Sequence, residues 1–173
     1  TEGYRRGARH LAEHVASSQQ DQDFLVYPVI FLYRHHVELA LKRLISRTPD
    51  LIDKPLTKAE KTHLGSHRLD LLWRDLKPRL IFTSKLAGWA EPAHDDIEGV
   101  DEYITQLTVL DPYSYAFRYA SSKDGRPSLP SDLKRINIRH FAELLERLAN
   151  YLDAWDCATC HLGELKAEME AEG

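Results

Sequence analysis

Residues 24–47 read FLVYPVIFLYRHHVELALKRLISR, the longest apolar-rich run in the chain. Apolar side chains cover nearly every face of a helix drawn through it, as in the central helix of a bundle or a membrane span. Arg34, Glu38, Lys42 and Arg43 decide between the two. Each would cost about 2.5–3.5 kcal/mol at mid-bilayer, so the run is expected to be a core helix that brings polar groups inward. Pro28 sets its start near residues 26–28 or kinks it there, and Thr48-Pro49-Asp50 is expected to end it.

On the N-terminal side, Tyr4, Ala8, Leu11, Ala12 and Val15 share one face of a helix over residues 2–18. On the other side, Thr57-Lys58-Ala59-Glu60 has the form of a capping box opening a short helix. HRLDLLWRDL, residues 67–76, is amphipathic and is expected to close at Pro78. A further helix is expected over residues 95–110, stopped by Asp111-Pro112. Residues 113–130 change character: Tyr113, Tyr115, Phe117 and Tyr119 alternate, and Asp124-Gly125 is a hairpin turn signal. They predict a short β-ribbon or ordered loop, with the four rings sharing one face of an extended segment. The last helix runs from about Asn137 past Trp155, with Phe141, Leu144, Leu145, Leu148, Tyr151 and Leu152 facing the core. The fold class is therefore all-α, a bundle of four or more helices with one insertion near 113–130. Residues 1–156 form a single domain, and 157–173 are an acidic helix tail expected to fray.

Composition sets outer limits. The chain has 173 residues, 43% hydrophobic and 29% charged, as in an ordinary soluble globular domain. A net charge of −4 means that nucleic-acid binding needs a local basic patch working against the mean field. Two cysteines make no disulfide framework, so a reducing cytoplasm is the expected location. No signal peptide or membrane span is legible in the opening TEGYRRGARH.

Three blocks in order, YRHHVELALK on the central helix, HRLDLLW on the next and DPYSYAFRYASSKDG before the last, resemble a group within the HEPN superfamily. The resemblance covers Phe24 to Asp153. It implies a helical bundle that forms a homodimer, without cofactor or metal. In many members it also implies a metal-independent endoribonuclease of toxin–antitoxin or antiviral defence systems, working with an antitoxin or defence-system partner. Other members bind a nucleotide or a partner protein without catalysis. The family's catalytic signature is Arg, four to six residues, then His. Arg5/His10, Arg9/His14 and Arg135/His140 all fit it, and chance alone supplies about two such pairs in a chain of this composition. Only Arg135/His140 stands at the start of the last helix, where the family places its site. There His140 would act as base or acid, Arg135 would stabilise the phosphorane, and Asn137 would orient either one, or serve as a helix cap.

Other constellations compete with that site. Arg34, Glu38 and Lys42, spaced i, i+4 and i+8, share one helix face with His35 beside it. They form either a salt-bridge ladder or a phosphate seat. If His67, Arg118 and Tyr119 converge on them, the result is a polar pocket for a nucleotide or phosphate. His10/His14 and His63/His67 have helical metal-clamp spacing, with nothing supplying further ligands. Cys157-Ala-Thr-Cys160-His161 matches a haem-attachment string, a redox pair or half a zinc site. Its place at the tail of a complete bundle favours two half-buried thiols without a role.

Overall fold

A computed structural model describes residues 1–119, 124–125 and 136–172. Six helices follow one another: α1 (Glu2–Ser18), α2 (Gln22–Ile52), α3 (Lys58–Leu64), α4 (Leu69–Leu86), α5 (His94–Leu110) and α6 (Ile138–Glu172). The chain is all-α, with no strand among the described residues. Helix α2 is the axis, packed against α6, α1 and α4, while α5 lies on α4 and α6. Val29, Ile30, Tyr33, Val37, Leu41, Leu44 and Ile45 of α2 are fully buried. A helix surrounded on three sides needs apolar residues all round, which is why residues 24–47 lack a clean amphipathic period.

Two of the expected helix ends are corrected. Helix α2 runs through Pro49 to Ile52, and α4 runs through Pro78 to Leu86. A proline inside a helix leaves the carbonyl four residues earlier without its N–H donor. For Pro49 that carbonyl belongs to Ile45, and the Thr48 hydroxyl donates to it at 3.0 Å within the buried core. For Pro78 it belongs to Arg74; both residues are exposed, so water reaches the carbonyl. Thr48→Val keeps the shape and removes the substitute donor. We expect it to lower stability by about 1–2 kcal/mol, the cost of a buried unpaired carbonyl. An unchanged urea midpoint would refute the account.

The capping box at Thr57 forms as read: its hydroxyl accepts the Glu60 N–H, and the Glu60 carboxylate accepts the Thr57 N–H at 2.7 Å. Glu60 also holds Arg79 of α4 at 2.7 and 3.0 Å. Helix α6 continues to Glu172, and at its far end Lys166 donates to the Asp53 carboxylate and the Asp50 carbonyl beyond Pro49, both at 2.7 Å.

The segment after α5 departs from the expected ribbon. Residues 112–118 are turns and a bend, not an extended strand. Alternation therefore does not put the rings on one face: Phe117 is buried with Ile30 and Ala116, while Tyr113, Tyr115 and Tyr119 are exposed. Of the remaining insertion, residues 120–123 and 126–130 lie outside the described residues.

Candidate functional site

The helical spacing of Arg34, Glu38 and Lys42 does make a ladder. The side chains of Arg34 and Glu38 are 1% and 2% exposed. Glu38 accepts from Arg34 at 3.2 Å and from Lys42 at 2.9 Å, and His67 Nδ1 lies 2.9 Å from the same carboxylate. Burial alone would raise the Glu38 carboxyl; the hydrogen bonds from Lys42 and His67 overcome it and hold the group below its ordinary range. Glu38 is thus an ionised carboxylate inside the protein, with three cationic or hydrogen-bonding partners.

Arg34 reaches beyond the ladder. Its Nε donates to the Asp111 carbonyl at 3.0 Å, and a terminal nitrogen donates to the His67 carbonyl at 2.7 Å. One guanidinium thereby fixes the end of α5 and the approach to α4 on the face of α2. Burial pulls the Arg34 pKa down while Asp111 and Glu38 pull it back, and an arginine stays charged under that pressure. Asp111 continues the chain of contacts: one carboxylate oxygen accepts the N–H groups of Tyr115 and Ala116 at 2.8 and 3.1 Å. The other has no hydrogen bond and sits 3.6 Å from Arg34 Nε. Sequence reading took Asp111 only as a helix stop. The signal for more was an aspartate four residues ahead of a turn, where a side-chain oxygen caps free N–H groups.

The turn that Asp111 caps delivers Arg118. Ser114 adopts a left-handed conformation, φ 62°, and its carbonyl receives Arg118 Nε at 2.6 Å. The guanidinium lies 5.5 Å from the Phe31 ring, 5.4 Å from Tyr115 and 5.5 Å from Tyr119. These are cation–π distances, and no carboxylate pairs with Arg118 among the described residues. His35 completes the cluster. It stacks on Phe31, centroids 5.7 Å apart and 9° between planes, and takes the edge of Tyr4 at 4.5 Å. Burial pushes the His35 pKa down; Glu38 pulls it up, and Arg118, His67 and Arg34 press it further down. All seven residues expected in the pocket, Arg34, His35, Glu38, Lys42, His67, Arg118 and Tyr119, therefore belong to one neighbourhood. Arg34 and Glu38 are buried and paired within it, while Arg118, Tyr119 and the 51%-exposed His67 side chain face solvent.

The other candidates stand apart from it. Arg135 lies outside the described residues. His140 is exposed on the first turn of α6, and the Asn137 side-chain oxygen accepts its backbone N–H at 3.1 Å, the capping role. Of the other Arg/His pairs, Arg5 is buried in bonds to Glu146, Asp153 and Asn150, and Arg9 pairs with Glu146. His10 and His14 are exposed. His63 and His67 turn to different carboxylates, Asp75 at 2.6 Å and Glu38, so they share no metal. Cys157 and Cys160 are free and exposed, not half-buried as expected.

A concavity of about 660 Å³ lies between α1 and α6, lined by Arg9, Glu13, Tyr33, Arg139, Glu146 and Arg147 among others. Its acids and bases are mixed, and Glu146 is engaged by Arg5, Arg9 and Tyr33. Among the described residues no helix is long and apolar enough to cross a membrane. No protein-family model, curated protein sequence or solved structure matches the chain.

Proposed function

We propose that the protein is a HEPN-like helical module that binds a phosphate-bearing ligand, a nucleotide or RNA, at the mouth formed by Arg118, His67, Tyr119 and His35 over Lys42 and Glu38. The observation that carries this reading is Arg118: a guanidinium set among three aromatic rings with no carboxylate opposite it among the described residues. Arg6, Arg9 and Arg68, by contrast, each face a carboxylate. A planar fork with free terminal N–H groups matches two phosphate oxygens. The flanking exposed rings of Tyr115 and Tyr119 give a nucleobase a stacking surface. A local cationic mouth also reconciles an anionic ligand with a net charge of −4. A homodimer acting in the cytoplasm beside a defence-system or antitoxin partner belongs to the same reading, on the strength of the resemblance alone.

Titration calorimetry with ATP, and fluorescence anisotropy with a short labelled single-stranded RNA, both in EDTA, test it. Arg118→Ala is expected to weaken binding at least about tenfold, the loss of one charge-assisted pair. Binding that Arg118→Ala leaves unchanged, or its absence with both ligands, would overturn the assignment.

A further inference from the structure

We infer that Cys157, Cys160, His161 and Glu164 form a zinc-binding site on the outer face of α6. The inference is independent of the phosphate-binding reading and shares no residue with it. At about 100° per residue, these four positions fall within about 100° of arc around the helix. Thr159 and Lys166 fall on the opposite side, and there they hold α6 to α2. Thr159 is buried and accepts from Arg47 at 3.3 Å, and Lys166 donates to Asp50 and Asp53. The helix is continuous through this region, so its outer face is a platform rather than a fraying tail. All four outer side chains are exposed, and both thiols are free.

Spacing and chemistry suit one ion. Cys157 stands three and four residues before Cys160 and His161, which puts their Cβ atoms about 5–6 Å apart on one face. Helical side chains lean toward the N-terminus, so Glu164 reaches back over the same turn. Its Oε1 lies 3.9 Å from Cys160 Sγ, and its Oε2 lies 3.9 Å from His161 Nδ1. Donors that share one tetrahedral zinc, with bonds of about 2.0–2.3 Å, stand roughly 3–4 Å apart. The carboxylate is therefore close to the separation that coordination asks of it, from a thiol and an imidazole together. Two thiols and an imidazole favour zinc over magnesium or calcium. Binding is a ligand exchange without redox: each thiol gives its proton to solvent as its sulfur bonds to zinc. The imidazole binds through a ring nitrogen and the carboxylate through an oxygen. His94, Asp95 and Glu98, at the start of α5, also have ligand atoms within 4.8 Å of one another. That group offers no thiolate, and it lies at the positive end of the α5 dipole, which repels a cation.

Anaerobic titration with Co2+ in a phosphine reductant, followed by absorption, tests the site. Thiolate-bound cobalt has a near-ultraviolet charge-transfer band that nitrogen and oxygen ligands do not give. The expected band saturates at one ion per chain and is bleached by Zn2+. Cys157→Ser and Cys160→Ser should each halve it, and the double variant should remove it. His161→Ala and Glu164→Ala should keep the band and weaken binding at least about tenfold, the least that loss of even an outer partner costs. Circular dichroism checks that each variant is folded. No spectral change with excess Co2+ overturns the site. So does a cobalt spectrum that survives Cys157→Ser/Cys160→Ser, which puts the ion on groups such as His94, Asp95 and Glu98. Saturation at one ion per two chains overturns the single-chain site, the donors then coming from two copies. Full affinity in His161→Ala or Glu164→Ala overturns that residue's place among the ligands.

Discussion

Replacing Arg34 by leucine is expected to lower stability by about 3–5 kcal/mol, the penalty for breaking a buried ion pair on one side. Arg34 donates to the Asp111 carbonyl, the His67 carbonyl and the Glu38 carboxylate together. Without it Glu38 keeps Lys42 and His67, but the Asp111 carboxylate, 2% exposed, loses its nearest positive charge. Arg34→Lys keeps the charge and loses the fork, so a smaller loss is expected. The double substitution Arg34→Leu/Glu38→Leu should recover part of the deficit by removing a buried carboxylate that has lost one of its three partners. Urea unfolding followed by circular dichroism measures all three. A loss below about 1 kcal/mol for Arg34→Leu would mean that water replaces the guanidinium and that the seam is not dry.

Acid should unfold the bundle through a small set of carboxylates. Hydrogen bonds from Arg79, against burial and with help from Thr57, hold Glu60 down to about 2 from 4.5. For Glu146, burial raises the pKa, but bonds from Arg5, Arg9 and Tyr33 overcome it and also bring the group to about 2. A carboxyl depressed on folding stabilises fully above its unfolded pKa and loses that contribution as pH falls toward its folded one. The window is therefore roughly pH 4.5 down to 2, with up to about 3 kcal/mol at stake for each group. Glu146 and Glu60 have separate sets of partners, so their effects should add. Glu146→Gln should lower the melting temperature at neutral pH and flatten its fall between pH 5 and 2.5. A melting temperature that the variant leaves unchanged at pH 7 would sink the assignment of Glu146 as the hub joining α1, α2 and α6.

Local patterns in the sequence carried part of this structure. The i, i+4, i+8 spacing of Arg34, Glu38 and Lys42 fixed their common face because helix geometry alone decides it. The Thr57–Glu60 box was legible for the same reason, its two bonds being four residues apart at most. The prolines misled because their cost depends on what surrounds the orphaned carbonyl: a hydroxyl at Thr48 in one case, solvent at Arg74 in the other. Glu146 was invisible. Its partners Arg5 and Tyr33 lie 141 and 113 residues away, and no spacing rule connects them. Arg118 was placed by block order rather than by any physical signal, and its ring of aromatics depends on the left-handed Ser114, which serine rarely adopts and sequence does not announce.

The reach of Arg34 has a kinetic side. Its bonds to the His67 and Asp111 carbonyls span 33 and 77 residues, so neither forms until α4 and α5 have docked on α2. Until then a guanidinium beside apolar neighbours is a liability, and the folding chain gains by leaving it wet. The seam should close after the rate-limiting assembly of α1, α2 and α6, which brings together Ala8, Ala12, Leu41, Leu145, Leu148 and Leu152 of one apolar cluster. Arg34 then acts as a latch on a finished bundle. In stopped-flow experiments Arg34→Leu should speed unfolding and leave the refolding rate nearly unchanged; a slowed refolding limb instead would place the seam in the folding nucleus.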